Sequence, residues 1–234
     1  MNFINKRIML VVAHPDDEIL GVGATMNKLI NEYSLSVHVV ILGEGITSRS
    51  DKRDVEFWNI ELEKHRSDIQ EAKKHIGFEN VSIYNLPDNR FDTVALLDII
   101  KIIEQEKFNF NPDIIFTHHG GDLNIDHQRT FEAVMTSCRP LADEMVKTII
   151  TFETPSGTEW KASTDPNKFS PNLYIEIDEN NLNAKILAME SYTFEKRDYP
   201  HPRSPKALKV KASQIGINIG SEYAEAFCII RTIQ

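Results

Sequence analysis

The sequence is short of several things at once. Only two of its 234 residues are cysteines, Cys138 and Cys228, and they form no CxxC pair. That excludes a disulfide scaffold, and both thiols are expected to be reduced and buried, as in a cytoplasmic protein. Basic residues are outnumbered: 26 Lys and Arg face 35 Asp and Glu, a formal net charge of −9. Binding to a nucleic-acid backbone needs the opposite balance, so no nucleic-acid partner is expected. No apolar run approaches the roughly 18 residues of a membrane span. The polar stretch His14–Glu18 interrupts the N-terminal apolar run too early for the core of a signal peptide. There is no internal repeat, no low-complexity tract, no acidic tail and no linker long enough to divide the chain.

What is present is an alternation. Arg7–Ala13, Val37–Leu42, Val81–Leu86, Asp113–Thr117 and Val146–Phe152 are short apolar runs of the kind that form strands buried on both faces. Amphipathic stretches predict helices over Glu18–Asn31, Asp51–Ile76, Thr93–Lys107 and Ile125–Arg139. Gly77 is placed to end the second of these. The pattern predicts a single α/β domain with a mainly parallel sheet and helices on both faces. Its core occupies about residues 1–152. Residues 153–234 supply a polar excursion and closing elements: a strand at Leu173–Ile177, helices over Asn180–Tyr192 and Pro205–Gln214, and a segment, Glu222–Ile233, open between helix and strand.

Two polar clusters follow strand ends: His14-Pro15-Asp16-Asp17-Glu18 after the first strand, and the run from His118 to His127 after the fourth. In a parallel sheet both loops lie on one edge, where ligands bind. Acidic residues at a helix start also complement its dipole, and Asp122 or Asn124 can cap the following helix. Two imidazole-bearing loops on one edge favour a divalent metal instead. His14 and Asp17, three apart in a turn, converge on one point. His127 is the most plausible third ligand and leaves a position open for water. Asp16 stands beside a ligand, where it can act as general base. Arg49, His118 or His119, His201 and Arg203 are candidate substrate contacts near the same edge. Gly21-Val22-Gly23 lacks the third glycine of a dinucleotide loop and is expected to serve close helix–sheet packing.

AHPDDE after the first strand, a later x-x-D-H opening a helix, and HPRS followed by AEAF resemble the PIG-L/LmbE family of metal-dependent N-acetylglucosaminyl deacetylases. The resemblance implies a Rossmann-like fold and Zn2+, or another divalent metal such as Fe2+, held by His14, Asp17 and His127. It implies Asp16 as general base, Asp126 as a carboxylate orienting a group beside the metal, and Arg66 as a substrate contact. Many members carry a histidine where this chain has Asn124. An amide can donate to an oxyanion but cannot be a general acid, which leaves Asp16 first in line to protonate the leaving amine. The expected reaction is hydrolysis of the acetamide of a small-molecule sugar or sugar conjugate. A deformylase or other amide hydrolase on a sugar, and a non-catalytic nucleotide- or sugar-binding protein, are the competing readings. A homo-oligomer is left open.

Overall fold

The computed structural model describes residues 2–233. The run Arg7–Val12 forms β1, and its side chains divide between two cores: Ile8, Leu10 and Val12 enter one, Met9 and Val11 the other. A strand apolar at every position has to be covered on both faces. Each such side chain contributes about 1.5–3 kcal/mol by leaving water.

β1 pairs in parallel with β2 (Ser36–Gly43) and β4 (Ile114–His118). β3 (Asn80–Leu86) lies outside β2, and β5 (Thr148–Phe152) outside β4, both parallel. β7 (Tyr223–Thr232) runs antiparallel to β5 and to the edge strand β6 (Leu173–Ile177). The order across the seven strands is β3-β2-β1-β4-β5-β7-β6. On one face α1 (Asp17–Tyr33), α2 (Asn59–Ile76) and α5 (Glu179–Ser191) pack through Ile19, Leu20, Ile69, Ala188 and Met189. On the other, α3 (Leu96–Phe110) and α4 (Ile125–Ser137) pack through Ile99, Ile103, Ala133 and Val134. α6 (Pro205–Ile217) rests on β7. The chain is a single-domain α/β fold. β1 and β4 are neighbours whose connections leave in opposite directions, so the loops after them part at the switch point of the sheet, the usual ligand position in such folds.

Several expectations change. The helix expected from Asp51 starts only at Asn59. Before it, the Phe57 N–H donates to the Asp54 carboxylate at 2.9 Å and the Trp58 N–H to the Asp54 carbonyl, a side-chain turn that competes with helix. The helix expected over 93–107 runs from Leu96 to Phe110. The open segment near the C-terminus is the strand β7. Cys138 is buried, but Cys228 is only half-buried, and both are free thiols. A Cβ on Gly21 would fall 2.2 Å from Phe152 Cδ2, so that glycine lets α1 approach the sheet. Among the described residues no helix is long and apolar enough to cross a membrane.

Candidate active site

β1 delivers the first loop and β4 the second, and their side chains meet around Asp17. Its Oδ2 lies 3.4 Å from His14 Nδ1 and 3.4 Å from His127 Nε2. In a tetrahedral zinc site with bonds of roughly 2.0–2.1 Å, neighbouring ligand atoms stand about 3.3–3.4 Å apart. His14, Asp17 and His127 each offer one ligand atom, all within 4.8 Å of one another.

The surrounding bonds select the tautomers. His14 Nε2 lies 2.8 Å from Asp126 Oδ2, so it carries the proton and Nδ1 keeps its lone pair. Asp126 is fully buried, and it also accepts the N–H groups of Asn89 at 2.7 Å and Phe91 at 2.8 Å. On the other side, His127 Nδ1 faces Asp122 Oδ1 at 3.2 Å. That contact is not aligned as a hydrogen bond, and it still places the proton on Nδ1 and leaves Nε2 for a ligand. Buried carboxylates behind both imidazoles are the usual backing of metal-binding histidines.

Electrostatics agree with a cation at the centre. Burial opposes charge on His14, but the hydrogen bonds to Asp126 and Asp17 outweigh it and raise its pKa well above the ordinary value. For His127, burial is outweighed by the charge of Asp17 and by Asp122, and its pKa rises to about 9. Asp17, although buried, is held well below the usual carboxylate range, chiefly by the charge of His127. Without a metal, protons supply the positive charge that this carboxylate draws in. The donor set therefore fits a divalent cation of the zinc type.

His118 plays a different part from the one expected. It is 0% exposed, so it has no face toward a substrate. The Ala13 N–H donates to its Nε2 at 2.9 Å, its Nδ1 lies 3.0 Å from Thr154 Oγ1, and its ring stacks on His127 at 3.9 Å. Its Nε2 is thereby taken as an acceptor even though Asp17 Oδ2 is 3.3 Å away. Burial, then the charge of His127, pushes its pKa down to about 4, and it stays neutral behind the ligands. His119 turns away and bonds the Asn167 carbonyl at 2.6 Å.

Asp16 precedes α1 with φ 100°, a left-handed conformation rare for a residue with a side chain. Its carboxylate does not cap the helix. The strained turn is held by Glu18, which accepts the Asp16 N–H at 3.0 Å and the buried Tyr192 hydroxyl. Asp16 Oδ2 accepts from Arg203 Nη1 at 2.8 Å, and among the described residues no donor reaches Oδ1. Burial pushes the Asp16 pKa well above the carboxylate range, with Arg203 working against it.

A polar cavity of about 270 Å³ opens over this cluster. His14, Asp16, Asp17, Asp88, Asn89 and Asn124 line its base. The excursion after β5 adds Thr154, Ser156 and Trp160, and the segment after α5 adds Glu195, Arg197, His201 and Arg203. Arg49, from the turn after β2, is on the wall and pairs with Glu195. Asn124 is the N-cap of α4: its Oδ1 accepts the Asp126 N–H at 2.8 Å, and its Nδ2 donates to Asn89 Oδ1 at 3.0 Å.

Arg66 is not brought to this cavity. Leu62, His65, Ile69, Ala72 and Ile76 take the buried side of α2. Arg66, about 100° further round the helix from His65, faces solvent and bonds Glu63 and Asn85. Sequence spacing alone assigns no site role to Asp88, Asp122, Tyr192, Glu195 or Arg197. Asp122 was visible only as a capping candidate five residues before His127. Asp88 ends the NLPD stretch.

Fold and site define a class: an α/β protein with a His-Asp-His cluster and a half-free carboxylate at the switch point of its sheet. Residues 9–138 match the model of the PIG-L family, described as GlcNAc-PI de-N-acetylase. That is more than half of the chain, and the chain belongs to this family of deacetylases. It is 27% identical over 195 residues to the protein named uncharacterized deacetylase YaiS of Escherichia coli (strain K12), covering 80% of this chain and 92% of that one. N,N'-diacetylchitobiose deacetylase from Pyrococcus horikoshii superimposes with a TM-score of 0.72 at 18% identity, over 97% of this chain and 84% of that one. GalB, the 4-carboxy-2-hydroxymuconate hydratase of Pseudomonas putida KT2440, does so with 0.75 at 17% identity, over 98% of both chains. Those two likenesses show a shared fold. Because a hydratase has it too, the reaction has to be argued from the site.

Proposed function

We propose that the chain hydrolyses the N-acetyl group of an acetamido sugar, an N-acetylglucosamine-type glycoside, glycan precursor or nucleotide sugar, releasing acetate and a free amino sugar. The observation that carries this reading is a cavity-lining carboxylate, Asp16, with one oxygen that no donor among the described residues reaches, next in sequence to a set of three candidate ligand atoms spaced for one cation. His14, Asp17 and His127 would hold Zn2+, or another divalent ion such as Fe2+, and such an ion when bound acidifies water and polarises a carbonyl.

The chain's own residues supply the rest. Asp16 Oδ1 takes a proton from water as its oxygen adds to the acetyl carbon, and returns that proton to the nitrogen as the C–N bond breaks. Asp126 and Asp122 keep the two imidazoles in the tautomers that present lone pairs to the centre. Ser48, Asn89, Arg49 and His201 offer donors for sugar hydroxyls around the mouth. The cavity volume is just below the usual range for ligand pockets and suits one sugar ring. Two free thiols fit a reducing cytoplasm.

The test is acetate release from a panel of acetamido sugars and nucleotide sugars by zinc-loaded protein. Chelation and Asp16→Ala each abolish release while circular dichroism stays unchanged. Undiminished release by Asp16→Ala would remove the mechanism. Absence of any stoichiometric metal in elemental analysis of the active protein would remove the assigned role of the cluster.

A further inference from the structure

The segment after α5 reaches back to Asp16 twice. Tyr192 secures its main chain through Glu18, and Arg203 secures its side chain directly. Arg203 is itself held on three sides. Nε donates to Ser156 Oγ at 2.8 Å, Nη1 also reaches Glu195 Oε2 at 2.7 Å, and its main-chain N–H donates to His201 Nδ1 at 3.2 Å. Glu195 is anchored in turn by Arg49, which also donates to the Phe194 carbonyl at 2.9 Å. The guanidinium is thus a fixed part of the cavity wall whose one short contact toward the centre is Asp16 Oδ2.

We propose that Arg203 is a positioning residue for Asp16: it occupies Oδ2, fixes the carboxylate rotamer, and leaves Oδ1 as the only oxygen turned to the reacting water. This rests on the reading of Asp16 as general base. Two features favour it over a substrate contact or a scaffold role. Three of the five guanidinium donors, Nε and both of Nη1, are already taken by Ser156, Asp16 and Glu195, which leaves only Nη2 for a sugar hydroxyl. A scaffold pair would be free to form anywhere along the segment, yet this one closes on Asp16, whose backbone is held in a left-handed conformation directly before the candidate ligand Asp17. A carboxylate that can swing by about 1 Å loses on the order of 100-fold in rate.

The experiment is a double-mutant cycle on metal-loaded protein, with kcat and KM for acetate release, metal content and the melting temperature measured for each form. Arg203→Met is expected to lower kcat about 100-fold, with KM within about threefold and one metal per chain, in a protein that folds but melts lower because two buried carboxylates lose their cation. Arg203→Lys, which keeps a cation near Oδ2 and is the milder change for folding, is expected to recover about tenfold of that loss. In the Asp16→Asn background, Arg203→Met is expected to cost nothing further, because its effect passes through Asp16. Independently of turnover, the crystal structure of Arg203→Met is expected to show the Asp16 carboxylate in a second rotamer.

A raised KM at unchanged kcat makes Arg203 a substrate contact and overturns the proposal. Full additivity with Asp16→Asn, or lost metal, overturns it too. If Asp16→Asn keeps the parent rate, it is the general-base reading that fails; if Asp16→Asn is inactive and Arg203→Met turns over normally, only the positioning role fails.

Discussion

Asp126 Oδ2 lies 2.8 Å from His14 Nε2, across 112 residues of sequence, and the same carboxylate closes the Asn89–Phe91 turn. One buried group therefore selects the tautomer of a candidate ligand and ties the loop after β3 to the site. Asp126→Asn keeps the shape and an oxygen for the Phe91 N–H, but presents an amide NH2 to His14 and to the Asn89 N–H. Affinity for a divalent metal is expected to fall 10- to 100-fold, read by competition with a chromophoric chelator. Affinity equal to that of the parent would mean that His14 is oriented by something else, Asp88 at 3.4 Å from Nε2 being the nearest alternative.

Asn124 stands where the family resemblance expects a histidine, and the structure gives it two jobs at once: a cap for α4 through Oδ1 and a donor toward Asn89 through Nδ2. Substitutions can separate them. Asn124→Asp keeps the cap, since Asp caps as well as Asn, and removes the donor. Its thermal stability is expected to match the parent, whereas Asn124→Ala loses about 1 kcal/mol with the cap, or about 2–4 °C in a chain of this size. A donor used on the oxyanion predicts that both variants lose kcat. Parent-like kcat in Asn124→Asp would leave Asn124 a helix cap and nothing more.

The sheet and the pairing of His14 with Asp17 were legible because both are local patterns. β1 is apolar at every position after Arg7, and His14 and Asp17 are three residues apart in one turn. Helix phase was legible as well: applied to α2, it separates His65 from Arg66 and places Arg66 outside. What sequence spacing does not encode is partnership at long range. Tyr192 reaches Glu18 across 174 residues and Arg203 reaches Asp16 across 187. Each pair depends on the segment after α5 folding back over the switch point. β7 escaped for a related reason. It is half-exposed toward its end and its antiparallel pairing is set by β5 and β6, so neither a helical nor a strand period dominates its sequence. The start of α2 was hidden by Asp54, whose turn consumes residues that are charged enough to read as helix.

His65 contributes a term to the pH dependence of stability. It sits on the buried side of α2 beneath the turn at Gly45, with edge-on contacts to Tyr192 and Phe194 and no partner for Nδ1. Burial pushes its pKa from 6.5 down to about 4, Asp68 opposing. Above about pH 6.5 the ring is neutral in both the folded and the unfolded chain and costs nothing. Between about 6.5 and 4 the unfolded chain takes up a proton that the folded chain refuses, so the contribution of His65 falls as pH falls, by up to about 3 kcal/mol over the window, while Glu18, pushed up to about 7 by burial, works the other way. His118, also near 4, adds to the same slope. His65→Leu removes the titrating group from apolar surroundings. In denaturant unfolding of metal-free protein, the variant is expected to lie close to the parent at pH 8 and to lose distinctly less stability by pH 4.5. Parallel curves for the two proteins across that range would show that His65 is not the group that refuses the proton.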